Sequence, residues 1–427
     1  MTTRLTRAGI LKSARNLFFA GTGAASALLL LVLLVAAGRT LGEADYGRFS
    51  FALALATILE VLMDFGLKEV VTRNVARDRS VASHLVSHVF GVKLLLSSGG
   101  LATITTLAFL RRPEPDVRLA CVLLGLSAVL RSYLLTARHL LNGLERFGLD
   151  SVVLVSDRLL LLVLGLAALG AGYGVLGLSV AFVAGRAAAF AIAYAIARSQ
   201  VGPLNVGVDR TQWRMLIRAA APFGLFIAVL NLYSYVDTVM LGVMRTDAET
   251  GLYSAAYRVY EGIVSLASIM GTVAGPQLAR QFVTNRARHA WLARYAVGGA
   301  LVAAVPIAIG TLFTAPWLLA MLFGTGFGAG AGVLRILAVG LVCVFPLQVM
   351  HAVAISVNEE RVLIRAATAG CIVKVVFNTV LIPTWGIAGA ALSTVASETA
   401  SFAVILLRVR GSVPPGPVVN DAEGLPS

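Results

Sequence analysis

Apolar stretches of about 20 residues recur along the whole chain and are separated by short connections. The most compact case is segment 374–398, KVVFNTVLIPTWGIAGAALSTVASE, where two apolar runs are joined by almost no loop. Pro383 and Gly386 supply the turn, because proline cannot donate a backbone N–H and disfavours helix in the residue before it. A hairpin this tight predicts two helices that cross a membrane in opposite directions.

Few charged residues are available to cover these apolar stretches. The chain has 427 residues, of which 58% are hydrophobic and only 13% are charged. A soluble chain of this length needs more polar surface, so we predict an all-α polytopic membrane protein. Cys121, Cys343 and Cys371 all lie inside apolar stretches, without paired spacing or a neighbouring histidine cluster. They predict small buried hydrophobic residues rather than a disulfide or a metal site.

The number of apolar stretches predicts twelve membrane spans, at about 20 residues per crossing. The first stretch follows a basic N-terminus, but it is too long for the apolar part of a cleaved signal peptide. No connection is long enough to hold a further domain. The predicted spans are roughly 14–38, 47–67, 84–110, 117–141, 150–170, 174–197, 215–244, 251–275, 294–322, 331–356, 362–382 and 386–407.

Lysine and arginine residues are distributed unequally between the two sides of the predicted membrane. The connections on the side of the N-terminus carry 20 of them, and those on the opposite side carry 6. By the positive-inside rule, both termini face the cytoplasm of a cell membrane, and the number of spans is even. The net charge of +14 is explained by this orientation, and no nucleic acid partner is expected.

The second half of the chain repeats patterns of the first half. Residues 173–177 match residues 385–389, and His139 matches His351, both at a displacement of 212. A second set at a displacement of 204 pairs Ala44, Gly47 and Ser50 with Ala248, Gly251 and Ser254. Because each half would hold six spans, an even number, the halves are parallel repeats about an axis along the membrane normal. Such repeats place a substrate site between two lobes.

The duplication predicts the domain organisation. An N-terminal lobe with spans 1–6 covers residues 1–198, and a cytoplasmic linker covers residues 199–214. A C-terminal lobe with spans 7–12 covers residues 215–410. Residues 411–427 are predicted to form a disordered cytoplasmic tail. The predicted fold is therefore two parallel six-helix lobes around a central cavity.

Several sequence patterns, taken together and in order, resemble one family of membrane transporters. They are GRTLGEADYGRFSFALA from Gly38, VLMDFGLKEVVTRNVA from Val61, YVDTVMLG from Tyr235, GLYSAAYRVYE from Gly251 and LIPTWGIAGAALSTVASE from Leu381. The chain resembles the Wzx-type oligosaccharide flippases, which are polysaccharide biosynthesis proteins of the multidrug/oligosaccharidyl-lipid/polysaccharide (MOP) superfamily. The resemblance covers nearly the whole chain, and the predicted number of spans agrees with it.

This resemblance implies a flippase that moves a polyprenyl-pyrophosphate-linked oligosaccharide from the cytoplasmic to the outer leaflet by alternating access. It implies a monomer in the lipid bilayer, without a resident cofactor, that works beside other polysaccharide-assembly proteins. Lipid II flippases usually carry two more spans, so a glycan other than the peptidoglycan precursor is expected.

Charged residues within the spans fit an anionic substrate. Nine lysine and arginine residues lie in or at the ends of spans, against six acidic residues. Such charges are expensive at the centre of a bilayer, so most of them should face the protein interior or a wet cavity. Arg131, Arg138, Arg335 and Lys374 are the candidate contacts for the pyrophosphate, because all four are cations and the arginine fork can donate two bonds to phosphate oxygens. Internal ion pairs are the alternative. Arg258 and Glu261, three residues apart, are predicted to neutralise each other.

Amide and aromatic side chains are the candidate sugar contacts. Asn231 and Tyr235 lie on one face of span 7, Tyr257 lies on span 8, and Asn378 lies one turn after Lys374. An aromatic stripe at helical spacing also serves packing or a membrane-interface belt, and this alternative stays open.

Asp237 is the candidate for ion coupling. It lies in the middle of span 7, and no Walker-type nucleotide loop is present in the sequence. An isolated carboxylate at this depth binds a proton or a cation, which makes H+ or Na+ the expected coupling ion. A structural ion pair with an arginine is an equal alternative, and the membrane potential alone could drive charge movement.

Two alternative functions belong to different classes. A multidrug/cation antiporter of the same superfamily would share the architecture, but it would favour more acids than bases in its cavity. A membrane glycosyltransferase or polysaccharide polymerase would need a sizeable outer loop or paired carboxylates, and the outer connections are short. The hairpin with Lys374 and Asn378 carries a cation and an amide where the first copy carries Asp157 and Arg158. We therefore expect the pyrophosphate nearer the second hairpin.

Overall fold

The computed structural model describes residues 7–112 and 114–412, which form eleven helices joined by short connections. Short 3-10 segments lie at Arg79–Val81 and Thr325–Gly330. The helices are α1 (Arg7–Asp64), α2 (Leu67–Arg77), α3 (Ala82–Arg111), α4 (Pro115–Gly143), α5 (Phe147–Gly170), α6 (Gly174–Val201), α7 (Arg210–Met244), α8 (Asp247–Thr284), α9 (Arg286–Phe323), α10 (Ala331–Ser356) and α11 (Glu360–Ser412).

Ten helical segments in this described part are long and apolar enough to cross a membrane, which confirms a multi-pass membrane protein. Predicted spans 1 and 2 fall together in α1, and spans 11 and 12 fall together in α11. Each of these two helices is interrupted by a glycine with non-helical backbone angles, Gly42 at φ 74° and Gly386 at φ 56°. The count of twelve crossings stays a prediction.

The chain reverses its direction inside α11. The Ser393 hydroxyl donates to the Lys374 carbonyl at 2.9 Å, and the Ser401 hydroxyl donates to the Ala366 carbonyl at 3.1 Å. Residues 35 positions apart in one straight helix would be separated by about 52 Å, so these bonds require two antiparallel arms. The predicted hairpin is confirmed, and its turn lies at Gly386.

The chain divides into two compact units. The first contains Met1–Ser254 with Leu322–Gly326, and the second contains Ala255–Met321 with Phe327–Ser427. The division between Ser254 and Ala255 falls inside α8, and α7 packs against α1, α2 and α3 of the first unit. The lobe boundaries expected from the duplication stay a prediction, and the predicted tail beyond Ser412 lies outside the described residues.

The core of the first unit is built where α2, α3, α4, α6 and α7 meet. Its fully buried members include Val71, Val89, Leu140, Ala193 and Ala220. In the second unit, α10 packs along α11, and the core there combines residues of α8, α9, α10 and α11. These two cores hold the charged and polar side chains described below.

Repeat-equivalent glycines contact each other within the first unit. A side chain on Gly47 would collide with the backbone of Asp247, and one on Gly251 would collide with the Glu43 carbonyl. Gly47 and Gly251 are related by the displacement of 204, so the two copies of one motif make reciprocal contacts. A two-fold relation between the copies predicts this reciprocity. Only glycine permits helices to approach so closely.

Candidate functional site

Buried ion pairs join the helices of the first unit. Arg131 of α4 lies 2.5 Å from Glu60 of α1. Arg186 of α6 donates from Nη1 to both carboxylate oxygens of Asp157 in α5, each at 2.6 Å. Glu60, Asp157 and Arg186 are each less than a tenth exposed. Charges this deep in an apolar chain require partners, and these pairs provide them.

A lysine network lies beside these pairs. Lys93 of α3 is fully buried and donates to Asp64 at 2.5 Å, to the Ser132 carbonyl at 2.7 Å and to the Ser132 hydroxyl at 2.8 Å. Lys68 lies 3.2 Å from the other carboxylate oxygen of Asp64. An ammonium group has three donors, and all three have acceptors here. This arrangement therefore stabilises the contact of α1, α3 and α4 and leaves no donor of Lys93 for a substrate.

Arg158 is a surplus cation of the first unit. Its Nε is 3.8 Å from Asp157, too far for a hydrogen bond, and both oxygens of Asp157 already accept from Arg186. The Nε atom is buried and forms no hydrogen bond with any described residue. Arg131 and Arg138 are close enough to act electrostatically on Arg158. The side chain of Arg158 keeps 16% exposure, so an anion of suitable size could reach it.

The charges around Arg158 do not balance. Six cations and five carboxylates make up the set of buried or half-buried groups that are linked by ion pairs or electrostatic interactions. These are Lys68, Lys93, Arg131, Arg138, Arg158 and Arg186 with Glu60, Asp64, Glu69, Asp150 and Asp157. The excess is positive, as an anion-binding region requires.

Arg131 and Arg138, two predicted anion contacts, take part in internal ion pairs. Arg138 donates from Nε and Nη2 to the two carboxylate oxygens of Asp150, at 2.6 and 3.1 Å. Arg131 keeps 32% exposure of its side chain beside Glu60, whereas Arg138 keeps 18%. The alternative of an internal pair is therefore realised for both residues, and direct contact with a substrate stays a prediction.

The other two predicted anion contacts lie in the second unit and have different surroundings. Arg335 of α10 is exposed, and its Nε donates to the Leu312 carbonyl of α9 at 3.1 Å. Lys374 is fully buried in α11, and its Nζ lies 5.6 Å from the centre of the Tyr257 ring. This cation–π contact brings together two residues that the sequence predicted for different parts of the substrate.

The polar environment of Lys374 extends along α8 and α11. The Tyr257 and Tyr260 rings are 5.9 Å apart, and the Tyr260 hydroxyl donates to Glu398 at 2.5 Å. Asn378, one turn after Lys374, is also fully buried. The second unit thus has its own buried polar group, with an acid, a base and two aromatic rings.

The remaining predicted residues lie on α7. The Asn231 side-chain amide donates to the Thr57 carbonyl of α1 at 3.4 Å. Tyr235 is half-buried and lies close enough to Arg131 to act electrostatically on it. Asp237 is 1% exposed and accepts a hydrogen bond from the Tyr253 hydroxyl of α8 at 2.7 Å. Their roles toward sugars and a coupling ion stay predictions.

Sequence reasoning missed the importance of Arg158 and Arg186. The signal was present in the repeat, because Arg186 corresponds to Glu398 at the displacement of 212. The same position thus carries opposite charges in the two copies. Comparing the copies position by position indicates that their electrostatic roles differ. The prediction that Arg258 and Glu261 neutralise each other is confirmed by their 2.6 Å ion pair.

A family model described as polysaccharide biosynthesis protein matches residues 13–282, which is more than half of the chain. The chain belongs to this family. A probable low-salt glycan biosynthesis flippase, Agl15 of Haloferax volcanii, is 22% identical over 396 residues, which cover 90% of this chain and 80% of that protein.

Solved structures share the fold of this polysaccharide biosynthesis protein. The lipid II flippase MurJ in an inward closed conformation matches with a TM-score of 0.78 at 13% identity, covering 92% of this chain and 87% of that one. An inward-facing multidrug resistance transporter of the MATE family, in the MOP superfamily, matches with a TM-score of 0.70 at 18% identity, covering 91% of this chain and 94% of that one.

These comparisons confirm the predicted resemblance to Wzx-type flippases of the MOP superfamily. The polysaccharide biosynthesis protein is a membrane transporter and not an enzyme, so the predicted alternative of a glycosyltransferase or polymerase is wrong. Its all-helical fold is that of the MATE transporters. The arrangement of two six-helix lobes around a central cavity stays a prediction.

Proposed function

We propose that this protein translocates a polyprenyl-pyrophosphate-linked oligosaccharide from the cytoplasmic to the outer leaflet of the cell membrane by alternating access. The proposal includes twelve crossings and cytoplasmic termini. Its family and the glycan biosynthesis flippase to which it is similar support this substrate class. The distribution of lysine and arginine supports the orientation.

The surplus cation Arg158 is the observation that carries the proposal. A buried charge at mid-membrane depth destabilises a helix by at least a few kcal/mol unless a partner compensates it. Arg158 and Arg186 share the single carboxylate of Asp157, at 3.8 and 2.6 Å, so a further anion is needed to balance both cations. A pyrophosphate supplies such an anion, and the guanidinium fork of Arg158 matches the geometry of phosphate oxygens. Arg131, which keeps 32% exposure and acts electrostatically on Arg158, extends the anion site.

The sign of the excess charge among the buried groups distinguishes this function from the export of cationic drugs. A cationic drug favours a site with more carboxylates than cations, whereas the buried groups around Arg158 contain more cations. The resemblance to multidrug transporters rests on the fold, which hosts different substrates. The predicted antiporter alternative therefore has no support from the side chains of the first unit.

Energy coupling completes the proposed cycle. Asp237 is the coupling residue that we propose, with H+ or Na+ as the ion. Its burial and its hydrogen bond from Tyr253 connect α7 to α8, so a change in the charge of Asp237 alters that contact. The membrane potential adds about 2.3 kcal/mol per charge per 100 mV for a substrate that carries net charge across the membrane.

The proposal is tested with the purified full chain in proteoliposomes that contain a fluorescent polyprenyl-pyrophosphate-linked oligosaccharide. Reducing the label chemically from outside reports how fast the lipid moves between leaflets. We expect movement well above that in protein-free liposomes, and no uptake of a cationic dye such as ethidium in parallel vesicles. Movement equal to that in protein-free liposomes contradicts the proposal, and uptake of ethidium without lipid movement favours the antiporter.

A further inference from the structure

A cavity of about 440 Å³ lies in the second unit between the second half of α8 and the end of α10. Its polar side chains are Ser268, Thr272, Gln348, His351 and Ser356, and none of the described residues that line it is an aspartate, glutamate, lysine or arginine. The side of the cavity that α8 forms also contains Gly271, Gly275, Pro276 and Ala279. The volume falls within the range of about 300–1,000 Å³ that is typical of small-molecule sites.

The repeat explains why this cavity exists. At the displacement of 204, the wall residues Gly275 and Ala279 correspond to Val71 and Val75 of α2. In the first copy both side chains are fully buried in the core that seals α2 against α4. The second copy has lost these bulky side chains on one wall.

The opposite wall has changed in the same direction. At the displacement of 212, Ala352 and Ser356 of α10 replace Leu140 and Leu144 of α4. Both leucines belong to the sealed core of the first unit. Small residues thus replace bulky ones on both sides of one interface. Ser268, Thr272 and Ala279 are exposed, so the space is an open pocket that a ligand can enter.

The cavity histidine also lacks the hydrogen-bond partner that its counterpart has in the first copy. His139 is hydrogen-bonded to the Thr72 hydroxyl at 2.9 Å, but Pro276 stands where Thr72 would be in the second copy. Its counterpart His351 faces the cavity with Nδ1 3.3 Å from Gln348 Oε1. Within the described residues, His351 Nε2 and the Gln348 amide nitrogen have no hydrogen-bond partner. These groups can bond to a ligand.

We infer that this cavity binds a neutral saccharide ring, as the sugar subsite of the transporter. This inference rests on the proposed function. A pyrophosphate needs cations, which the described lining of the cavity lacks. A prenyl chain is a hydrocarbon and cannot form hydrogen bonds with the five polar side chains. A sugar ring uses both kinds of wall, because its C–H face packs on carbon surfaces while its hydroxyls bond to hydroxyl, amide and imidazole groups.

The test refills the cavity with the side chains of the first copy. The double variant Gly275→Val/Ala279→Val restores the bulk of Val71 and Val75. A Cβ on Gly275 meets only the Ala352 Cβ at 3.9 Å, so the added side chain points into open space. Gly271 is left unchanged, because a Cβ there would lie 2.7 Å from the Gln348 carbonyl oxygen. Gly310→Val on α9 is the matched control, since a Cβ there meets nothing within 4 Å.

The measurement is binding by the purified full chain in detergent. One probe is the free oligosaccharide that mild acid releases from the lipid-linked glycans of the source membranes, and the other is sugar-free polyprenyl pyrophosphate. We expect the double variant to bind the free oligosaccharide at least tenfold more weakly than the wild type, and the control to bind it within twofold. Both variants should bind polyprenyl pyrophosphate like the wild type.

A second variant distinguishes a loss of binding from a loss of folding. Thr272→Val keeps the shape of the side chain and removes only its hydroxyl, and we expect a threefold or greater loss of oligosaccharide binding at an unchanged melting temperature. Wild-type affinity in both the filled variant and Thr272→Val overturns the inference, and so does the absence of oligosaccharide binding by the wild type. The proposed function fails separately, if wild-type proteoliposomes move no lipid-linked oligosaccharide while the cavity still binds the free sugar.

Discussion

The hairpin of α5 and α6 and the hairpin inside α11 are the two copies of the predicted repeat, and a glycine with positive φ lies at the equivalent turn position of each. Gly174 has a φ of 61°, and Gly386, which is 212 residues later, has a φ of 56°. Glycine adopts this left-handed conformation without the strain that other residues incur. Both copies of the predicted repeat therefore have a residue suited to the turn at the same position.

The contacts between the arms differ in kind. The arms of the first hairpin are joined by the ion pair of Asp157 and Arg186, with Arg158 as a surplus cation. The arms of the second hairpin are joined by serine hydroxyls such as Ser393, which donate to backbone carbonyls. Similar hairpins thus carry an ion pair between the arms in the first copy and hydroxyl-to-carbonyl bonds between the arms in the second. A duplicated scaffold can divide chemical tasks in this way without changing its fold.

The cations of the two hairpins also differ in their exposure to solvent. The side chain of Arg158 is 16% exposed, whereas Lys374 of the second hairpin is 0% exposed and lies over the Tyr257 ring. A substrate phosphate must reach the cation that binds it. We therefore place the proposed anion site at the first hairpin, and not at Lys374, where the sequence suggested it.

The largest effect is expected from breaking the ion pair between the arms of the first hairpin. Asp157→Asn leaves Arg186 buried without a carboxylate, which should destabilise the protein by about 3–5 kcal/mol. Thermal unfolding of the purified protein in detergent measures the change. The double variant Asp157→Asn/Arg186→Gln removes both charges and should recover most of the loss. Equal melting temperatures for Asp157→Asn and the wild type would show that the pair does not stabilise the hairpin.

The second largest effect is expected from substituting Arg158, and comparing it with a Lys374 substitution shows which hairpin binds the anion. We expect Arg158→Gln to lower transport in proteoliposomes about 10- to 100-fold, because one charged hydrogen bond contributes roughly 1.5–3 kcal/mol. Arg158→Lys keeps the charge but loses the fork, so an intermediate rate is expected. Lys374→Ala should impair transport less, and Arg280→Gln, at the exposed end of α8, serves as the control. A larger loss for Lys374→Ala than for Arg158→Gln would move the anion site to the second hairpin.

The smallest effect concerns the neutral contact of the second hairpin. Ser393→Ala removes the bond to the Lys374 carbonyl and should destabilise the protein by about 1 kcal/mol. Ser98→Ala provides the comparison, because the Ser98 hydroxyl bonds only within its own helix and is exposed. The two melting temperatures should therefore differ. If Ser393→Ala destabilised the protein as strongly as Asp157→Asn, the expected difference between the ion pair of the first hairpin and the hydroxyl bond of the second would be wrong.

Local features of the fold could be predicted because they depend on neighbours in the sequence. The hairpin at Gly386 follows from a proline and a glycine between two apolar runs, and the pair of Arg258 and Glu261 follows from helical spacing. The candidate site was harder to predict. Arg131 could be recognised as a charge inside a span, but its partner Glu60 is 71 residues away and lies on another helix.

The sequence by itself determined the class, the repeat and the family of this protein. Apolar length, charge asymmetry and recurrent motifs act within a span or between copies, so they can be found without coordinates. Only the tertiary structure decided which charges neutralise each other and which space stays open. Those outcomes depend on how each helix is rotated about its axis and how closely it approaches its neighbours. The surplus charge of Arg158 and the cavity beside His351 appear only when these contacts are known. Arg158 lacks a carboxylate of its own, and the cavity lacks the bulky side chains that fill the same place in the first copy.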